Sequence, residues 1–175
     1  FKKIILVLPK KQFNYWNELC KTNNFNEKYT LVAGGKSRFH SVKNGLKKIP
    51  EKCIVVIHDG VRPIVSECLI NRLVDNVKKG VGSIPVIPVE NSIRKITRHR
   101  SKHIMREKLY LVQTPQCFFG IDIKTAYRQD FCDSFTDDAS VLEKNEGTIE
   151  AVVGDKKNIK ITTAEDLEIA KLFMQ

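Results

Sequence analysis

Two short stretches of the 175-residue chain carry residue types suited to anion and polyol chemistry. The first, Gly34-Gly35-Lys36-Ser37-Arg38-Phe39-His40-Ser41, combines paired glycines with cations and hydroxyls just ahead of an apolar helical stripe. Glycines let a ligand approach the backbone closely, and a helix starting here offers unpaired N–H groups, so an anion is favoured. The second, His58-Asp59-Gly60-Val61-Arg62-Pro63, follows an apolar run and sets a carboxylate beside a guanidinium. Such a pair suits substrate hydroxyls and a phosphate, or a solvated metal. A plain turn explains the first stretch equally well, and a structural Asp–Arg pair explains the second.

The elements that must hold these stretches follow from apolar periodicity. Residues 3–8 form a β-branched run stopped by Pro9 and predict a buried strand, as do residues 29–33 and 53–57. Between them, residues 12–21 space Phe13, Trp16, Leu19 and Cys20 as a helix, with Phe13 and Trp16 expected in the core. Phe39, Val42, Leu46 and Ile49 form a second helical stripe ending at Pro50. Ser66 is placed to cap a third helix that presents Leu69, Ile70, Leu73, Val74 and Val77 and ends by Gly80. Residues 82–89 read as a strand whose Pro85 and Pro88 suggest a sheet edge or an irregular ending. Further on, residues 109–112, 148–153 and 158–161 read as strands, and residues 121–127 and 136–145 as helices. Thr162-Thr163-Ala164-Glu165 reads as a capping box for a last helix with Leu167, Ile169, Ala170 and Phe173 along it. Strand–helix alternation of this kind predicts an α/β fold with a mainly parallel, twisted sheet flanked by helices. Ligands of such sheets bind beyond the carboxyl ends of the strands, where both stretches fall.

Charge and composition narrow the classes. The net charge is +10, and the window of residues 94–108 holds Arg94, Lys95, Arg98, Arg100, Lys102, Arg106 and Lys108 against the single acid Glu107. Apolar residues are sparse there, so residues 91–108 are expected as a projecting β-arm rather than a core of their own. The arm has neither interleaved aromatics nor a helix-turn-helix around it, which disfavours nucleic acid as its partner. The longest apolar runs have five residues, which excludes a membrane span. No signal peptide is expected, and five cysteines without a C-x-x-C pair point to reduced thiols in a cytoplasmic protein. His40, His99 and His103 lack partners at metal-ligand spacing, so no protein metal site is expected; His58 reads as a strand-end hydrogen-bonder.

The ordered motifs G-G-x-x-R-x-x-S at 34–41, H-D-x-x-R-P at 58–63, P-V-x-x-S at 88–92, T-P-Q at 114–116, T-D-D-A-S at 136–140 and N-I-K-I-T at 158–162 resemble those of the 2-C-methyl-D-erythritol 4-phosphate cytidylyltransferases. The resemblance spans the chain. It implies a single Rossmann-like nucleotidyltransferase domain over residues 1–175, with the arm completing a homodimer. The implied reaction joins the 4-phosphate of methylerythritol phosphate to the α-phosphorus of CTP, with release of pyrophosphate and help from Mg²⁺. Gly34, Gly35, Lys36, Ser41 and Gly60 would then surround the cytidine and ribose. Asp59, Arg62, Ser92, Thr114 and Thr136 would bind the sugar phosphate. Lys160 would steer the phosphate nucleophile, and Arg106 would help position it from the neighbouring subunit.

Lys36 and Ser92 depart from the family pattern, which has an acid or polar residue at the first position and threonine at the second. The family's opening Gly-rich phosphate loop and Pro-Lys-Gln segment have no counterpart ahead of Phe1. A polypeptide beginning at Phe1 is therefore expected to be feebly active, because phosphoryl transfer depends on positioned cations. Two alternative expectations stand beside this reading: a ribitol 5-phosphate cytidylyltransferase, and a noncatalytic dimer that binds phosphate or nucleic acid.

Overall fold

In the computed structural model, which describes residues 2–175, the chain runs β1 (Ile5–Leu8), α1 (Phe13–Thr22), β2 (Thr30–Ala33), α2 (Arg38–Leu46), β3 (Ile54–Ile57), α3 (Glu67–Asp75) and β4 (Val81–Pro88). It continues through β5 (Ile93–Ile96), β6 (Ser101–Ile104), β7 (Tyr110–Val112), β8 (Gln116–Phe119), α4 (Gly120–Ala126), α5 (Asp138–Lys144), β9 (Thr148–Val153) and α6 (Ala164–Phe173). The packing separates into two compact units, one of residues through Cys53 with Gly120–Glu146, the other of Ile54–Phe119 with Gly147–Gln175.

In the first unit, β1 and β2 pair in parallel with Val7 opposite Val32. A parallel pair needs a crossover, which α1 supplies. Helix α2 starts where the Ser37 hydroxyl accepts the His40 N–H, and it packs against β1 through Gly45, where an added Cβ would stand 3.1 Å from Val7 Cγ2. Phe39 stacks on Tyr127 at 4.7 Å and on Phe135 at 5.6 Å, which ties α2 to the turn after α4 and the segment before α5. The expected core role of Phe13 and Trp16 does not hold, because α1 buries no residue. Trp16 instead meets Phe25 and Tyr29 edge-on and donates its indole N–H to the Tyr29 hydroxyl, an arrangement that keeps a polar tip near water.

The second unit is organised on β4. β9 runs parallel to it from Val81–Thr148 to Val86–Val153. On its other side β4 pairs antiparallel with β8 at Ser83–Cys117 and with β7 over Val86–Val112 to Pro88–Tyr110, while β3 pairs antiparallel with β8. This sheet is mixed rather than mainly parallel, because the chain returns from the arm directly alongside β4 without a crossover helix. Nor is β4 an edge: Pro85 is fully buried and lies where the antiparallel neighbour changes from β8 to β7. A missing N–H is tolerated at that break in the ladder. Leu69 and Leu73 of α3 pack with Val77, Cys117 and Val152, and Ser66 caps the helix as expected.

Other departures are local. Residues 158–161 form an irregular loop held by Ile161 N–H on the Val61 carbonyl, not a strand. The last capping box is one residue later than expected, with Thr163 as the cap and Asp166 as its reciprocal partner. Of the apolar stripe expected on α6, only Ala170 is fully buried. The arm segment holds the β5–β6 hairpin, in which Lys95 faces Lys102 and Arg94 faces His103. Cys20, Cys53, Cys68, Cys117 and Cys132 are all free, and burial pushes the Cys117 thiol up to about 12. Among the described residues no helix is long and apolar enough to cross a membrane.

Candidate functional site

Asp59, Arg62, Thr114 and Lys160 converge in the second unit from three separate loops. The Asp59 carboxylate Oδ2 lies 3.2 Å from Lys160 Nζ and 3.8 Å from Arg62 Nε. Asp59 and Arg62 are nearly covered, with side chains 13% and 11% exposed, whereas Lys160 is 46% exposed. Arg62 is oriented by its own turn, in which its N–H meets the Asp59 carbonyl, and by Nη1 donating at 2.7 Å to the Asn158 carbonyl. Burial lowers the Arg62 pKa, opposed by the Asp59 charge. Gly60 lies between them on the exposed side, and an added Cβ there would meet nothing within 4 Å.

Behind this group runs an uncharged relay. His58 Nε2 lies 2.8 Å from the Arg62 carbonyl, and Nδ1 lies 2.9 Å from the Thr114 hydroxyl, which also accepts the Asp59 N–H at 3.0 Å. A carbonyl can only accept, so the proton belongs on Nε2, and Nδ1 accepts from Thr114. Desolvation lowers the His58 pKa, which favours the neutral ring in this arrangement. It is the strand-end hydrogen-bonder that its position suggests.

In the first unit, Gly34, Gly35, Lys36, Ser41 and Thr136 take positions around α2 and the start of α5. Gly34 N–H donates to the Leu8 carbonyl, and Gly35 N–H donates to Ser41 Oγ at 3.1 Å. Ser41 in turn donates to the Ser37 carbonyl. A Cβ on Gly35 would stand 2.4 Å from His40 Cβ, so the close backbone approach at this glycine is to the chain's own helix. Lys36 and Thr136 are exposed. The adjoining Arg38 donates through Nη2 at 2.6 Å to Asp138, whose fully buried carboxylate also receives the Tyr127 hydroxyl. Burial first, then the Asp138 charge, raises the Tyr127 pKa.

Ser92 and Arg106 lie at the root of the hairpin. Ser92 is exposed immediately before β5, and Arg106 Nη1 donates to the Glu90 carbonyl. Glu90 also meets Lys156, whose ammonium lowers the carboxyl pKa. The described residues hold no group of three His, Cys, Asp or Glu side chains suited to a metal.

The sequence reading missed Gln113, Asn158 and the Arg38–Asp138–Tyr127 group as organising residues. Asn158 and Asp138 are fully buried and Gln113 is 4% exposed. Arg38, Asp138 and Asn158 lie in quoted motifs and Gln113 and Tyr127 do not, but a polar residue reads as surface until its burial is known.

The whole chain, residues 1–175, matches the family model described as 2-C-methyl-D-erythritol 4-phosphate cytidylyltransferase (IspD). A protein of that name from Bacteroides fragilis is 46% identical over 174 residues, covering 98% of this chain and 78% of the relative. Its counterpart from Azobacteroides pseudotrichonymphae is 44% identical over 172 residues, with the same shares covered. Among solved structures, the Francisella tularensis 2-C-methyl-D-erythritol 4-phosphate cytidylyltransferase superposes with a TM-score of 0.77 at 30% identity, covering 98% of this chain and 80% of that one. The 4-diphosphocytidyl-2C-methyl-D-erythritol synthase of Anaerococcus prevotii gives a TM-score of 0.82 at 28% identity, covering 99% and 78%.

Proposed function

Because the chain belongs to the 2-C-methyl-D-erythritol 4-phosphate cytidylyltransferase family, we propose that it transfers the cytidylyl group of CTP to 2-C-methyl-D-erythritol 4-phosphate. The products are 4-diphosphocytidyl-2-C-methyl-D-erythritol and pyrophosphate, a step of non-mevalonate isoprenoid biosynthesis. The observation that carries this reading is the family match along all of residues 1–175. The meeting of Asp59, Arg62, Thr114 and Lys160 supports the assignment of roles.

A phosphate oxygen of the sugar phosphate attacks the α-phosphorus, and the bond to the pyrophosphate leaving group breaks. Both partners are anionic, so the encounter needs cations at the nucleophile. Lys160, already aimed by Asp59 yet half exposed, is free to turn its ammonium to that phosphate. Asp59 and the Thr114 hydroxyl take the sugar hydroxyls, because a carboxylate beside the phosphate would repel it. Arg62 lends charge and holds Asp59 in place. Gly60 keeps one side of this group open, and Gly34, Gly35, Lys36 and Ser41 serve the nucleotide. Thr136 and Ser92 add polar contacts to the sugar phosphate. Arg106 serves the neighbouring subunit of a homodimer formed through the arm.

Mg²⁺ is assigned no protein ligand set. Asp59 faces two cations, and the ion would be carried by the triphosphate.

The deciding assay offers the enzyme CTP with either methylerythritol phosphate or ribitol 5-phosphate and follows pyrophosphate release and the diphosphocytidyl product. Efficient turnover of methylerythritol phosphate is expected. Preference for ribitol 5-phosphate, or no pyrophosphate from either, overturns the reading.

A further inference from the structure

Two buried amides join the loops that carry the sugar-phosphate residues. Gln113, between β7 and β8, donates from Nε2 to the Asp155 carbonyl at 2.8 Å and to the Asn158 carbonyl at 3.1 Å, while its Oε1 accepts the Asp155 N–H at 3.1 Å. Gly154 leaves room for this side chain, since a Cβ there would stand 2.5 Å from Gln113 Oε1. Asn158 answers in the opposite direction, donating from Nδ2 to the Thr114 carbonyl at 2.7 Å. Its own carbonyl receives Arg62, and Lys160 stands two residues further on. Asn158 is fully buried, and its Oδ1 accepts no hydrogen bond among the described residues. Burying an amide oxygen without a donor is unfavourable, so its packing alone does not account for the residue.

We propose that Asn158 is a positioning residue for the sugar-phosphate half of the reaction. Its side chain fixes Thr114, and through the Thr114 hydroxyl fixes the Asp59 N–H and His58. Its main chain fixes Arg62 and the start of the Lys160 loop. This inference rests on the functional reading above. It assigns Asn158 no contact with substrate.

The test uses Asn158→Asp and Asn158→Ser beside the wild type. Aspartate keeps the shape but, when ionised, turns an oxygen toward the Thr114 carbonyl; when protonated it donates there again. Burial raises the pKa of such an acid, and the Arg62 guanidinium bonded to the same residue's carbonyl opposes the rise. Both variants are expected to lose roughly 10–100-fold in kcat/KM for the sugar phosphate, the scale of a small misplacement of reacting groups. KM for CTP should stay within about twofold, because Asn158 joins only the loops assigned to the sugar phosphate. The Asn158→Asp to wild-type activity ratio should rise as pH is lowered from about 8.5 to about 6.5, whereas the serine variant should show no such recovery. Unchanged sugar-phosphate kinetics in a folded variant, a rise in KM for CTP as large as that for the sugar phosphate, or failure of both variants to fold overturns the proposal. An inactive wild type overturns the functional reading instead.

Discussion

Removal of the Asp138 carboxylate by Asp138→Ala strands two donors in very different settings. Tyr127 is only 2% exposed, so its hydroxyl has no route to water once the acceptor is gone. Leaving such a group unsatisfied costs about 1–3 kcal/mol. The Arg38 side chain is 35% exposed and can hydrate, so the lost ion pair adds about 1 kcal/mol or less after screening. The sum is about 3 kcal/mol, or roughly 6–12 °C in Tm for a chain of this size. Asp138→Ala/Tyr127→Phe removes the stranded hydroxyl as well. The double variant should therefore be more stable than the sum of the single losses by about 1–2 kcal/mol. Urea unfolding of the four proteins measures this coupling, and CTP kinetics should worsen with it, since Arg38 begins the helix that carries Ser41. Additivity within about 0.5 kcal/mol would refute the shared hydrogen bond as the source of the cost.

Lys160→Ala should lower turnover by about 10²-fold or more while leaving Tm nearly unchanged, because a half-exposed ammonium contributes little to folding; near-normal turnover in steady-state assays would remove Lys160 from the chemistry. Mixed dimers of Arg106→Ala and Lys160→Ala enzymes should regain part of the activity, and subunit exchange without recovery would argue against sites shared through the arm. His58 has a folded pKa below its ordinary 6.5, so its neutral form adds stability above that value, and this is lost as pH falls from 6.5 through the lowered folded value. Unfolding measured against pH should show that His58→Gln removes part of this dependence.

The elements were legible where local chemistry decides them. β-branched runs predicted β1, β2, β3 and β9, and Ser66 marked its helix, because strands and caps depend on neighbours in sequence. Strand β8 was not legible, since its Gln116 and Cys117 break the apolar run and their burial is decided by β3 and β4. Alternation in Asn158-Ile159-Lys160-Ile161 mimicked a strand, but the segment forms no strand ladder and Ile161 N–H meets the Val61 carbonyl instead. In the candidate site, the charged and hydroxyl-bearing residues could be picked out by type. Their supports could not, because Arg38 and Asp138 are 100 residues apart in sequence and Gln113 and Asn158 are 45 apart.

Arg62 and Gln113 both rest on the main-chain carbonyl of Asn158 rather than on a side chain. Side-chain replacement leaves those oxygens in the polypeptide, so an alanine scan will miss this main-chain share of the loop's role. Sequence drift at residues 156 and 157 is buffered for the same reason, provided the loop keeps its path. Backbone chemistry would expose the dependence: converting the amide that follows Asn158 to an ester weakens its carbonyl as an acceptor without altering any side chain. The peptide path here is thus a functional group in its own right, inherited through loop geometry instead of residue identity.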